Sequence, residues 1–130
     1  MKRIALIWSL ATGAMDAATG LLLVFAPERV LGLLRIAAPP AEARIFLSWI
    51  GVFVASVGLS YVLVLRGAAA AATVWTFTAL VRFAVAAFLM AQIRAGTLPM
   101  AWATVALADA GVAALQMIGL RLGCWTDRAA

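Results

Sequence analysis

Four long apolar stretches dominate this sequence and leave the chain few ways to fold. They cover residues 4–26, 45–65, 70–93 and 98–120, so each is 21 to 24 residues long. About 20 apolar residues in an α-helix cross the hydrocarbon core of a bilayer. The chain is 67% hydrophobic and 12% charged, which is too little polar material to cover a water-facing surface. The sequence therefore predicts an all-α integral membrane protein, a single domain of four transmembrane helices.

Prolines and short polar segments separate these spans. Pro27 ends the first stretch, and residues 28–36 are too few to cross a membrane. This segment predicts a short interfacial helix between the first two spans. Pro40 followed by Glu42 is typical of a helix start, and Pro99 suits the first turn of the last helix. In the interfacial helix, polar or small residues lie on one side and apolar residues on the other: Arg29, Gly32 and Arg35 against Val30, Leu33, Leu34 and Ile36.

The order of these spans predicts an up-down-up-down bundle with both termini on the same side of the membrane. The formal net charge is +5, and the basic residues stand singly at the ends of spans, where lipid phosphates would meet them. No basic run is interleaved with aromatic residues, which argues for a lipid bilayer and against nucleic acid as partner. Cytoplasmic termini are favoured by five basic residues against four, namely Lys2, Arg3, Arg66, Arg121 and Arg128 against Arg29, Arg35, Arg44 and Arg94.

The sequence contains no histidine and one cysteine, Cys124. Histidine-ligated metal or haem and histidine acid–base chemistry are therefore excluded, as is a disulfide within the chain. We expect no metal site and no cofactor of the protein's own.

Small and aromatic residues suggest how the spans pack and where they meet the membrane surface. Ser48, Gly51, Ala55 and Gly58 repeat at helical spacing, which predicts a seam where another backbone approaches closely. Four tryptophans lie near the starts of spans and one follows the last span, which predicts an aromatic belt at the interfaces: Trp8, Trp49, Trp75, Trp102 and Trp125.

Three ionisable residues lie near the middle of three different spans. They are Asp16, Arg82 and Asp109. An arginine cannot lose its charge, and a charged residue at the bilayer centre costs about 3 kcal/mol. Since the midplane is the most expensive depth, we expect the three to converge in the bundle interior as the candidate catalytic group. The alternative is an Arg–Asp pair that only locks the fold.

Polar residues at helical spacing surround this group and are candidate ligand-binding residues. On the first span Ser9, Thr12, Asp16 and Thr19 share a face, and on the last span Trp102, Asp109 and Gln116 do. Asp16 therefore has more polar neighbours than Asp109. We expect Asp16 to be the ionised partner of Arg82 and Asp109, in the drier site, to hold a proton. The candidate ligand-binding residues are Thr12, Thr19, Thr78, Trp102 and Gln116.

The segment Thr19-Gly20-Leu21-Leu22-Leu23-Val24-Phe25-Ala26-Pro27, with the four spans and the intramembrane charges, resembles the DoxX-like group of small four-helix membrane proteins. The resemblance implies an accessory subunit of a membrane redox system in a bacterial plasma membrane, close to a quinone. Asp16 with Thr19-Gly20 is also faintly similar to small multidrug exporters, although Arg82 and Asp109 have no counterpart there.

Three functions stay open from the sequence. The first is binding of a quinone, lipid or isoprenoid-like molecule in a polar interior pocket, within a homo-oligomer or a larger membrane complex. The second is a small membrane enzyme of the isomerase or cyclase type, in which an aspartate moves a proton and Arg82 stabilises negative charge. The third is proton-coupled transport of a small molecule.

Overall fold

The computed structural model describes residues 2–126, and over this range the chain is helical, without a β-strand. Four helical segments are long and apolar enough to cross a membrane, which confirms the fold class at that level: Lys2–Phe25, Ala41–Arg66, Ala68–Arg94 and Met100–Arg121. The α-helices are α1 (Lys2–Phe25), α2 (Pro27–Leu33), α3 (Ala41–Ser60), α4 (Ala68–Arg94) and α5 (Ala103–Arg121). A 3-10 helix, Tyr61–Arg66, extends α3, and a 3-10 turn, Met100–Trp102, leads into α5.

Proline and glycine set most of the helix boundaries. Pro27 occupies the first turn of α2, where its missing N–H is not needed. Pro40 immediately precedes α3, and Glu42 lies in the first turn of that helix, as predicted. Gly67 lies between the 3-10 helix that follows α3 and the start of α4. Its φ of 123° is a backbone conformation that favours glycine.

The helices differ from the predicted spans at their ends. Helix α3 begins at Ala41, four residues before the apolar span that starts at residue 45, and Glu42 and Arg44 are exposed in its first turns. Pro99 stands just before the 3-10 turn and not inside the first helical turn. Arg128, which was counted for the orientation of the termini, lies outside the described residues.

Helix α2 confirms a short helix between the first two spans, but its predicted sidedness is partly wrong. Val30 and Leu31 are its buried residues, and Arg29 is exposed. Leu33, assigned to the apolar side, is 82% exposed. The helix ends at Leu33, and Arg35 has φ 55°, so the chain turns away before a longer amphipathic face can form.

The described chain divides into two compact units. One comprises residues 9–62, and the other comprises residues 2–8 with 63–126, so that α1 takes part in both. In the unit of residues 9–62, α1 and α3 run antiparallel in backbone contact. A Cβ added to Gly20 would lie 2.3 Å from the amide nitrogen of Ala55, and one added to Gly58 would lie 2.3 Å from that of Ala17. The seam predicted on α3 is therefore confirmed.

In the other unit, α4 and α5 run antiparallel and form the main interface. Near the α4–α5 connection, Ala86 and Leu89 of α4 pack with Ala106 of α5 in an apolar cluster, and Trp102 packs against it. This interface positions the candidate site.

The predicted aromatic belt is wrong for part of the set. Trp75 and Trp125 are buried, and the ring of Trp75 makes edge contacts with Trp8 at 5.4 Å and with Trp125 at 5.2 Å between centroids. Edge-to-face contacts of this kind stabilise aromatic clusters. These three tryptophans thus form an internal cluster, whereas Trp49 is exposed as predicted.

Candidate functional site

The candidate site is an ion pair between Arg82 of α4 and Asp109 of α5. Arg82 is the fifteenth of the 27 residues of α4, and its Nη1 donates a hydrogen bond to Oδ1 of Asp109. The side chains are 8% and 18% exposed, respectively. A buried charge is tolerated when it is paired and hydrogen-bonded. The interior pairing of these two predicted residues is therefore confirmed.

A second polar contact lies one helical turn away on α4. Gln116 Nε2 donates a hydrogen bond of 2.7 Å to Thr78 Oγ1, and both side chains are fully buried. Thr78 Oγ1 in turn donates to the carbonyl oxygen of Val74 at 2.8 Å. Thr78 and Arg82 are four residues apart on α4, and Asp109 and Gln116 are seven apart on α5, so the two contacts are stacked along one seam.

Close packing continues the α4–α5 seam beyond Gln116. A Cβ added to Gly119 would lie 2.5 Å from Cζ3 of Trp75. The glycine thus lets the buried indole lie directly against the α5 backbone. At the other end of the seam, Trp102 is half-buried against the cluster of Ala86, Leu89 and Ala106. The predicted common face of Trp102, Asp109 and Gln116 is the face that packs on α4.

The ion pair is asymmetric in its exposure. Asp109 is more exposed than Arg82, so the carboxylate lies at the edge of the helix pair and the guanidinium lies deeper. A carboxylate accepts hydrogen bonds and a guanidinium donates them. At its edge the pair can therefore receive a hydroxyl or a carbonyl group of a small molecule.

The structure corrects the expected surroundings of the two aspartates. Arg82 pairs with Asp109, the residue that was expected to hold the proton. A pairing of Asp16 with Arg82 stays a prediction. Asp16 is buried, so Asp109 is not the more enclosed of the two carboxyl groups. The residue types next to each aspartate in the sequence predicted that Asp109 would be the more enclosed. That prediction failed because neighbours in sequence do not reveal which helices pack together.

The remaining predicted residues lie on α1 in the unit of residues 9–62. Ser9, Thr12 and Asp16 are buried and Thr19 is half-buried, which confirms that they share an inward face. The convergence of Asp16, Thr12 and Thr19 with Arg82 stays a prediction.

Two features of the structure were missed from the sequence. The first is the seam on α1, where Gly13, Ala17 and Gly20 repeat the spacing of Gly51, Ala55 and Gly58 on α3. The shared spacing could have predicted from the sequence that α1 and α3 pack together. The second is an ion pair between Glu28 and Arg44, at 3.1 Å, which links α2 to the start of α3. No local pattern signals a contact across the irregular segment between these helices.

Comparison with known proteins gives no further guide to this site. No family model matches the chain, and no curated protein or solved structure matches it.

Proposed function

We propose that this protein is an integral membrane protein that binds a hydrophobic small molecule with a polar head at the Arg82–Asp109 pair. The observation that carries the proposal is a buried ion pair, halfway along an apolar helix, with its carboxylate at the edge of the helix pair. Ionisable residues inside apolar spans are costly, and their presence there is typical of functional sites.

The chemistry of the pair suits a quinone-like head. A carbonyl oxygen accepts a hydrogen bond from a guanidinium, and a hydroxyl group donates one to a carboxylate, so the pair can hold an oxidised or a reduced ring. Lipid and isoprenoid-like heads carry the same groups. Large apolar side chains exposed on α4 and α5 suit a hydrophobic tail, among them Leu80, Phe83 and Leu107.

The cellular role extends this proposal. The resemblance to DoxX-like proteins supports an accessory subunit that presents or holds a quinone beside a larger membrane redox complex. The lack of histidine in this sequence fits a subunit that leaves haem or metal ligation to its partners.

The test measures binding of a short-chain ubiquinone analogue to the purified protein in lipid nanodiscs. Quenching of tryptophan fluorescence reports the binding. We expect saturable binding that weakens at least tenfold in Arg82→Gln and in Asp109→Asn. Arg94→Gln removes an exposed arginine at the end of the same helix and is the matched control. Melting temperatures of all variants report whether each one is folded.

Unchanged affinity in both folded variants of the pair would refute the proposed site. Proton uptake or product formation with the bound analogue, lost in Asp109→Asn, would instead favour the enzyme or the transporter.

A further inference from the structure

A second candidate site lies where α1 ends. A cleft of about 390 Å³ is lined by the last residue of α1, the first turn of α2 and the first turns of α3: Phe25, Ala26, Pro27, Glu28, Arg29 and Arg44. Its volume falls in the range of small-molecule sites. All of these residues belong to the compact unit of residues 9–62.

The charges around the cleft do not balance. Glu28 pairs with Arg44 at 3.1 Å, and this pair ties α2 to α3 across one side of the cleft. Arg29 also lines the cleft and is exposed, and the structure shows no carboxylate within ion-pair distance of it among residues 2–126. Two guanidinium groups and one carboxylate leave the cleft with one positive charge.

The place of the cleft indicates the kind of anion. Helix α1 is 24 residues long and ends at Phe25, so in the membrane location proposed above the cleft lies at the level of the lipid headgroups. Phe25 is 81% exposed beside it and offers an apolar surface next to the two arginines. A positively charged cleft bordered by an exposed aromatic ring fits a molecule that carries a phosphate and an apolar tail.

We propose that this cleft binds the phosphate group of an anionic phospholipid. Arg29 and Arg44 contact the phosphate oxygens, and Phe25 contacts the glycerol and upper acyl region. Arginine matches phosphate well because its planar fork can donate two parallel hydrogen bonds. The single negative charge of the lipid neutralises the excess positive charge of the cleft. The proposal rests on the membrane location in the proposed function but not on the ligand of Arg82.

Native mass spectrometry of the delipidated protein in detergent tests the proposal with phosphatidylglycerol and, separately, phosphatidylcholine. We expect one phosphatidylglycerol to bind more tightly than phosphatidylcholine. Arg29→Gln should weaken its binding roughly fivefold, equivalent to about 1 kcal/mol for one basic contact, and Arg44→Gln should weaken it at least as much. Arg35→Gln is the matched control, since Arg35 follows the same helix, is exposed and does not line the cleft.

Other outcomes would overturn the proposal. Equal losses in Arg29→Gln and Arg35→Gln would indicate diffuse surface charge instead of a site, and equal binding of the two lipids would exclude selection of an anionic head. Calorimetry with inorganic phosphate separates the two sources of phosphate, and comparable affinity for it would exclude the lipid as the specific occupant. The Arg29→Gln variant retains Arg82 and Asp109, so failure here leaves the quinone test of the proposed function intact.

Discussion

Arg82 keeps its charge at any pH that the folded protein experiences, so its counter-charge has to come from the protein. Asp109 supplies it from the neighbouring helix, and at the next polar position along the same seam Gln116 donates a hydrogen bond to Thr78. Removing only one member of a buried pair leaves the other uncompensated, whereas apolar residues in place of both members are often tolerated.

We therefore predict opposite behaviour for single and double replacements of the pair. Arg82→Leu should destabilise the folded protein by about 3–5 kcal/mol, because Asp109 then stays buried without its partner. Arg82→Leu combined with Asp109→Leu should recover most of that loss. Equilibrium unfolding in detergent micelles measures both. A double variant no more stable than Arg82→Leu would show that the pair does not act as a unit.

The sequence identified Arg82, Asp16 and Asp109 but not the individual contacts between them. The three ionisable residues were identified by their position near the middle of a span, because charged residues are rare within about 20 apolar residues. Depth could not predict a particular contact, since Asp16 and Asp109 both lie near the middle of a span. Contacts depend on which helices are neighbours, and the short connection of residues 95–99 keeps α4 and α5 together.

At the scale of elements, the helices pack by different means. The α1–α3 seam has backbone against backbone, with Gly13, Ala17 and Gly20 facing Gly51, Ala55 and Gly58. The α4–α5 seam instead has two adjacent polar contacts, with the indole ring of Trp102 packed near one end and that of Trp75 at the other. Helix α3 has no charge beyond Arg44 until Arg66, so close contact of small residues is its available means of association.

We predict that Gly58→Ala strongly destabilises the fold. The added Cβ would lie 2.3 Å from the Ala17 nitrogen and 2.6 Å from the Gly13 carbonyl oxygen, and backbone atoms cannot move aside as side chains do. The cost should reach or exceed the roughly 1–3 kcal/mol of ordinary overpacking. Gly111→Ala is the matched control, because a Cβ there meets nothing within 4 Å.

The control variant should be neutral or gain up to about 1 kcal/mol from better helix propensity. Thermal unfolding in the same detergent compares the two alanine variants. Equal melting temperatures for them would mean that the α1–α3 contact is looser than the structure shows.

Local sequence signals predicted the ends of the helices better than they predicted which side chains pack against one another. Pro27 and Pro40 act on the backbone of their own segments, so their positions were sufficient to place helix ends. The location of Trp75 and Trp125 could not be predicted in this way. Both lie near span ends, as belt residues do, but Gly119 opens space for Trp75 inside the packed unit.

At the scale of the whole molecule, apolar side chains cover much of the exposed surface. Phe46, Trp49 and Phe53 are all exposed on α3, and similar residues are exposed on the other long helices. Contiguous apolar surface of this kind is avoided in water but is compatible with lipid.

We predict that both termini lie on the cytoplasmic side of the membrane. Five basic residues flank the spans on the side of the termini and four on the other, so the positive-inside rule favours this orientation. A green fluorescent protein fused to the C-terminus should fluoresce, and alkaline phosphatase fused at the same point should be inactive. The opposite pair of signals would reverse the orientation and leave the helix packing as described.

The 27-residue separation of Arg82 and Asp109 also matters while the chain is being made. The ribosome completes α4 before most of α5, so the arginine reaches the insertion machinery ahead of the carboxylate that compensates it. If α4 entered the membrane first, its guanidinium would be there before Asp109 is available. For a chain inserted into a membrane, we therefore expect α4 and α5 to enter the lipid together as a helical hairpin.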